Sequence, residues 1–296
     1  MVSKIYYLHS KLQTSKMKLA IVTTHPIQYN APWFRLVSQA RDFDTKVFYT
    51  WEQSNQQQKY DPGFGKIIEW DIPLLEGYDY TFVKNTSEDP GSHHYKGIVN
   101  PTLNKEIEEW GASAVLIFGW PFKSHFGCMR YFKGKIPVLF RGDSTLLDEK
   151  PGIKQFIRRL FLKYVYKHID YALYVGTNNK KYFIAHGLAE RQLIFTPHAI
   201  DNSRFEHGEQ YHAQALQWRN SLGINDTDFV VLFAGKFIEK KNPMFIIRMA
   251  ERIQGENIRF LMVGNGALEE DLKKASKDNR IVFAGFQNQS QMAIVY

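Results

Sequence analysis

A single cysteine, Cys128, is all this chain contains. No disulfide can form within it, which points to a reducing compartment and a cytoplasmic location. Long hydrophobic runs are missing as well. The longest, such as Phe229–Gly235, are strand-sized and far short of the roughly 20 residues that a bilayer-spanning helix needs. Residues 1–16 hold no apolar core of the signal-peptide kind, since only Ile5-Tyr-Tyr-Leu8 is apolar there. Acidic residues are in deficit, 30 Asp+Glu against 38 Lys+Arg, for a net charge of +8. This favours anionic partners without choosing among nucleotides, phosphorylated lipids and nucleic acid. The basic residues are spread out and no base-stacking platform is visible, which argues against nucleic acid. There is no Gly-x-Ser-x-Gly elbow and no Walker lysine loop.

What is present can fill real cores. The 296 residues are 44% hydrophobic and 15% aromatic, enough for two ordinary domains. Short β-rich runs alternate with amphipathic helices, the pattern of a doubly wound parallel sheet and an α/β fold. Strands are expected at Leu19–Thr23, Lys46–Thr50, Ala114–Phe118, Val138–Arg141, Tyr171–Val175 and Leu193–Thr196. Helices are expected at Trp33–Ala40, Thr102–Trp110, Lys123–Phe132, Ile153–His168 and Asn178–His186. Residues 51–100, rich in Gln, Gly, Pro and Tyr, read as an inserted hairpin or long loops. The pattern pauses near 197–210, then a helix at His212–Leu222 opens a second series. The division is therefore 1–16 as a loose arm, with Met17 a candidate start, 17–205 as a first Rossmann-like domain, and 206–296 as an incomplete second one. The chain ends inside an expected helix, Gln289–Tyr296, so a fragment of a longer protein is expected.

The second series carries the strongest chemistry. Phe229-Val-Val-Leu-Phe-Ala-Gly235-Lys236 leads to Lys240-Lys241-Asn-Pro243. Phe260-Leu-Met-Val-Gly264-Asn-Gly266 and Ile281-Val-Phe-Ala-Gly285-Phe286 follow. Glycines at the carboxyl ends of parallel strands let a ligand approach the backbone. Helices starting just beyond them favour anions, and lysines at the same rim suit a diphosphate. Gly264-Asn-Gly266 is not a full Gly-x-Gly-x-x-Gly fingerprint and reads equally as a tight turn.

Six blocks in order resemble family 4 (group 1) glycosyltransferases of the GT-B fold. They are Thr24-His25-Pro-Ile-Gln28-Tyr29, Trp70-Asp-Ile-Pro-Leu-Leu-Glu-Gly77-Tyr78, and Phe195-Thr-Pro-His198-Ala-Ile-Asp201-Asn-Ser-Arg204-Phe205. Then come Gly235-Lys236 with Lys240-Lys241, Val263-Gly264-Asn-Gly266, and Val282-Phe-Ala-Gly285-Phe286. The resemblance implies two Rossmann-like domains and transfer of a sugar from a nucleoside diphosphate sugar to an acceptor hydroxyl, with retention, without a metal or other cofactor, in glycan or glycolipid biosynthesis. It implies that Gly235, Lys236 and Lys241 meet the donor phosphates and that Gly264, Gly266, Gly285 and Phe286 lie near the nucleotide. The acceptor, a glycan or lipid-linked hydroxyl, would face Gln28, Tyr29, Trp120 and Arg141. The family's Glu-x7-Glu motif does not occur before Tyr296. A non-catalytic nucleotide-binding fragment is the alternative, or another GT-B enzyme such as a nucleotide-sugar epimerase.

Several side chains have two readings. Asp143 could orient or deprotonate the acceptor hydroxyl, or pair with Arg141. His25 could contact a sugar or phosphate, or be structural. Asp42-Phe-Asp44 reads as a surface turn rather than a metal motif. His93-His94 shows no partner spacing for zinc, and Cys128 reads as core. In 153–168 a 3.6-residue stripe of Ile153, Phe156, Ile157, Leu160, Phe161, Tyr164 and Val165 runs among Lys154, Arg158, Arg159, Lys163 and Lys167. A packed helix with a solvated basic face is expected. The alternative is peripheral contact with an anionic membrane.

Overall fold

Central strands of an all-parallel sheet are covered on both faces and so read as unbroken apolar runs. Leu19–Val22 and Ala114–Phe118 are such runs. The computed structural model describes residues 16–51, 59–61, 64, 66–147, 149, 152–206 and 208–296. Of the expected arm at 1–16, only Lys16 is among them. The elements in chain order are β1 (Met17–Thr23), α1 (Ala31–Ser38), β2 (Phe43–Tyr49), β3 (Lys59–Asp61), β4 (Lys66–Ile68), β5 (Asp79–Phe82), α2 (Leu103–Trp110), β6 (Ala114–Phe118), α3 (Lys123–Phe132), β7 (Val138–Arg141), α4 (Ile153–Tyr166), β8 (Tyr171–Tyr174), α5 (Thr177–Ala185) and β9 (Leu193–Phe195). Then follow α6 (Glu209–Ser221), β10 (Phe229–Ala234), α7 (Met244–Arg252), β11 (Ile258–Val263), α8 (Glu269–Ala275), β12 (Ile281–Gly285) and α9 (Met292–Val295).

Two compact units result. One spans residues up to 53 together with 74–200, the other 54–73 together with 201–296. In the first, seven strands run in the order β5-β2-β1-β6-β7-β8-β9, every pair parallel. The order reverses between β1 and β6, the switch point beyond whose carboxyl ends sheets of this kind bind ligands. Ala20, Ile21, Val22, Val115 and Ile117 are fully buried, so the middle of this sheet is a two-sided core. In the second unit β10-β11-β12 form a parallel sheet. Its core gathers Phe237, Ile246, Ile247, Phe260 and Met262.

Three sequence expectations change. The tract 51–100 includes a regular strand, β5, paired with β2 along Lys46↔Asp79 to Tyr49↔Phe82. Its four residues at a sheet edge are too few to show a period. The hairpin β3–β4 does form, but the tract holding it groups with the second unit rather than with a domain spanning 17–205. The reason is its partners: Asn288 Nδ2 donates to Glu69 O at 2.7 Å and Ser290 N to Asp71 Oδ1 at 3.0 Å. The boundary between the units accordingly falls between Ile200 and Asp201.

The third change concerns α4. The stripe read as its packed face is largely exposed: Ile153 81%, Phe156 63%, Ile157 60% and Leu160 53%. Leu162, Val165 and Tyr166 are the buried ones. At about 100° per residue these two sets lie on opposite sides of the helix, so α4 is apolar on two faces and the longer stripe is the outward one. Only its flank touches the core, where Phe161 meets Trp120 edge-on at 5.6 Å and Tyr164 meets Phe126 at 6.1 Å.

Candidate functional site

The second unit brings its glycines to one rim. Gly235 follows β10, Gly264 follows β11 and Gly285 ends β12. Gly235 N donates to Val263 O at 2.9 Å and Gly264 N to Gly285 O at 2.8 Å. The loop after Gly235 is strapped to the next turn, with Phe237 N donating to Asn265 O at 2.8 Å and Leu268 N to Phe237 O at 2.9 Å. Gly264 has φ +137°, and a Cβ there would meet Gly235 O at 2.0 Å; at Gly266, φ +157°, it would meet Phe237 O at 2.5 Å. These two glycines thus let two loops of the protein touch. The N–H groups of Gly235 and Gly264 are already bonded within the sheet.

The expected lysines are placed at the same rim. Lys236 directly follows Gly235, half-buried, and its Nζ stands 4.7 Å above the ring of Phe64 at the tip of the β3–β4 hairpin. Phe64 in turn meets Phe286 edge-on at 5.1 Å. Lys241 is exposed on a 3₁₀ turn, Glu239–Lys241, just before α7. Helix α7 has no acid in its first turn, whereas α8 opens with Glu269, Glu270 and Asp271. Dipole and charge together therefore favour an anion at α7 and oppose one at α8. A shallow hollow of about 300 Å³ lies at the other end of this sheet, against Ile281 at the start of β12, with Lys273 and Asp278 in its wall.

Phe64 is the residue that sequence reading missed. Its neighbours Pro62, Gly63 and Gly65 mark a turn, but nothing local says which unit the tip meets. An ammonium over an aromatic face gains about 0.5–1 kcal/mol at exposed sites. A charge-assisted hydrogen bond gains about 1.5–3 kcal/mol.

In the first unit the expected residues divide. Tyr29, 71% exposed, and Gln28 sit on the open turn after β1. His25 Nδ1 lies 2.9 Å from Thr24 Oγ1, and its ring meets Trp51 edge-on at 5.3 Å. Trp120 packs against the core and Phe161. Arg141 Nη1 donates to Thr196 O at 2.9 Å and Nη2 to Pro197 O at 3.3 Å, so it holds the chain leaving β9. Burial lowers its pKa and the nearby Asp143 carboxylate opposes that. Asp143 itself is exposed. Phe43 and Asp44 open β2 rather than forming the expected turn, and Asp44 pairs with Lys16 at 2.8 Å. Cys128 is fully buried, and burial pushes its thiol pKa up.

Beneath this rim lies a second missed residue, His125, fully buried. Its Nδ1 lies 3.0 Å from Phe118 O and 3.1 Å from Gly119 O, and its Nε2 2.8 Å from Thr50 Oγ1. Two carbonyls require a proton on Nδ1; in the neutral ring Nε2 is then an acceptor for the Thr50 hydroxyl, whose other acceptor is Thr23 O at 3.1 Å. Asn100 Nδ2 donates to Thr50 O at 2.9 Å and Val83 O at 2.8 Å. Together the two side chains lock the carboxyl ends of β2, β5 and β6.

Residues 214–296 match the model of the family described as glycosyl transferases group 1. Over 94 residues the chain is 31% identical to WcaI of Escherichia coli, named as a glycosyl transferase of colanic acid biosynthesis; the match covers 32% of this chain and 23% of that protein. The crystal structure of HepE from Anabaena in complex with UDP and glucose is similar at TM-score 0.61 and 14% identity, covering 92% of this chain and 70% of that one. UDP-GlcNAc 2-epimerase from Methanocaldococcus jannaschii reaches TM-score 0.54 at 14% identity, over 95% and 76%. The fold is thus the GT-B type with two Rossmann-like units.

Proposed function

We propose that this chain, whose residues 214–296 belong to the group 1 glycosyl transferases, takes a nucleoside diphosphate sugar on its second unit and serves transfer of the sugar to an acceptor hydroxyl. The observation that carries this reading is Lys236, set on a glycine rim at the carboxyl end of β10, with Lys241 following before an acid-free helix start. As the sugar leaves, negative charge grows on the diphosphate. Two ammonium groups there would stabilise it, with no metal required and retention the expected outcome. Lysine supplies a compact charge rather than the planar fork of arginine. On the first unit, Asp143 and His25 are the candidates to orient or deprotonate the hydroxyl, and Gln28 and Tyr29 to meet the rest of the acceptor. The epimerase shares the fold, but the group 1 match over 214–296 favours transfer.

The test is titration of UDP by calorimetry. Lys236→Ala is expected to weaken binding by about tenfold to a hundredfold, the loss of one charge-assisted contact. Unaltered affinity in this variant would remove the basis of the proposal.

The outward stripe of α4 adds a place of work. Ile153, Phe156, Ile157 and Leu160 face solvent among Lys154, Lys163 and Lys167. Arg158 and Arg159 reach Glu149 at 3.4 and 3.3 Å. An exposed apolar stripe edged by cations fits an anionic bilayer surface, which would bring the enzyme to a lipid-linked acceptor at the cytoplasmic face of a membrane. Among the described residues no helix is long and apolar enough to cross one. In co-sedimentation with phosphatidylglycerol-containing vesicles, Phe156→Asp with Leu160→Asp should cut binding more than about tenfold, since each buried side chain contributes roughly 1.5–3 kcal/mol. Equal sedimentation of variant and parent would rule the stripe out.

A further inference from the structure

The tract 85–99, between β5 and α2, is closed by its own hydrogen bonds. Asn85 Oδ1 accepts from Ser87 N at 3.1 Å and Val99 N at 2.8 Å, and Asn85 Nδ2 donates to Gly97 O at 2.8 Å. Ser87 Oγ donates to Lys96 O at 2.7 Å, and Gly91 N to Gly97 O at 3.1 Å. Within this frame three side chains converge. Asp89 Oδ2 lies 3.1 Å from His93 Nε2 and 3.2 Å from His94 Nε2. The three ligand atoms are all within 4.8 Å of one another.

That convergence is built rather than incidental. His94 is extended, φ −150° and ψ 164°, and neighbours on extended backbone normally point apart. Here the two rings come to 4.5 Å between centroids. Two glycines make room for this. A Cβ on Gly91 would meet His93 Nδ1 at 2.4 Å, and one on Gly97 would meet Gly91 O at 2.1 Å. The sequence offered His93-His94 without a third ligand; loop closure supplies it from Asp89.

We propose that Asp89, His93 and His94 form a binding site for one divalent transition ion of the zinc class. Two imidazoles and one carboxylate are a borderline donor set that suits Zn²⁺ and excludes neither Co²⁺ nor Ni²⁺. With metal–ligand distances of roughly 2.0–2.1 Å, ligands of a tetrahedral ion stand about 3.3 Å apart. The observed 3.1 and 3.2 Å are close to that edge; His93 Nε2 and His94 Nε2, the latter also 3.0 Å from Asp89 O, would exchange these contacts for the ion as ligand nitrogens without a proton. Three protein ligands leave a fourth position for water or an exogenous group. The ion would pin the tract at the edge of the first unit's sheet, and its site stands without any assumption about the donor.

Co²⁺ is the probe, because a tetrahedral site gives visible ligand-field bands that a surface hydrogen-bonded cluster does not. Titration of the full chain should saturate at one equivalent, and Zn²⁺ should displace the bands. Asp89→Asn and His94→Ala should each raise the dissociation constant more than about a hundredfold, since loss of mere supporting groups costs about 10- to 100-fold. His212→Ala, on α6, should bind as the parent does. Asp89 is largely exposed and His94 is 37% exposed, so circular dichroism of each variant is compared with the parent's and an unchanged spectrum is expected. The proposal fails if no saturable band develops, or if the Asp89 and His94 variants bind as tightly as the parent.

Discussion

Gly264→Ala is expected to be among the most damaging single substitutions in the second unit, costing about 2–6 kcal/mol. Two penalties add. The residue has φ +137°, a conformation that strains an L side chain by about 1–3 kcal/mol. Its new methyl would also stand 2.0 Å from Gly235 O, and backbone cannot yield as a flexible side chain does. Overpacking of this kind costs a further 1–3 kcal/mol or so. Gly235→Ala is the control on the same rim. Its Cβ would meet only the Phe233 ring, at 3.8 Å, an ordinary contact, so less than about 1 kcal/mol is expected. Urea denaturation followed by hydrogen exchange in β10–β12 reads both. Equal effects at the two positions would contradict the strapped-loop account of this rim.

The first unit should lose about 3 kcal/mol of stability on acidification from pH 7 to pH 4, through His125. Burial lowers this imidazole from 6.5 to about 4, and its hydrogen bonds to the carbonyls of Gly119 and Phe118 only partly offset the effect. The folded state thus binds the proton less readily than the unfolded chain does. Stability is complete above pH 6.5, falls as pH drops from 6.5 towards 4, and levels off below 4 as far as this group is concerned. A shift from 6.5 to about 4 at about 1.36 kcal/mol per unit gives the magnitude. His168 and His186, also lowered chiefly by burial, add in the same direction. His125→Gln should flatten the profile between pH 6.5 and 4 whatever it does to stability at pH 7. An unchanged slope in this variant would show that the imidazole is not held neutral.

Elements bounded by clear punctuation were legible in the chain. Ala114–Phe118 is an apolar run ended by Gly119, and Lys123–Phe132 carries its buried residues at helical spacing; both fall where the sequence places them. The glycine rim of the second unit was legible because a glycine ends or directly follows each strand of that sheet. What stayed hidden depends on contacts between distant segments. The hairpin carrying Phe64 lies more than a hundred residues before Lys236 and Phe286, which its ring contacts. Helix α4 has two apolar faces, and periodicity ranks them by length, not by which neighbour covers them. His125 looks like any helical histidine until the carbonyls of 118 and 119 close over it. Asp89 reaches the two histidines only because Gly91 and Gly97 allow the loop to fold back.

The proposed function requires a pyrophosphate at the rim around Lys236. Amide hydrogen exchange of the full chain, with and without saturating UDP, tests it most directly. Slowed exchange is predicted in 235–242 and 285–287. Protection confined to 273–283, the hollow at the opposite end of the strands, or no protection anywhere in the second unit, would contradict it.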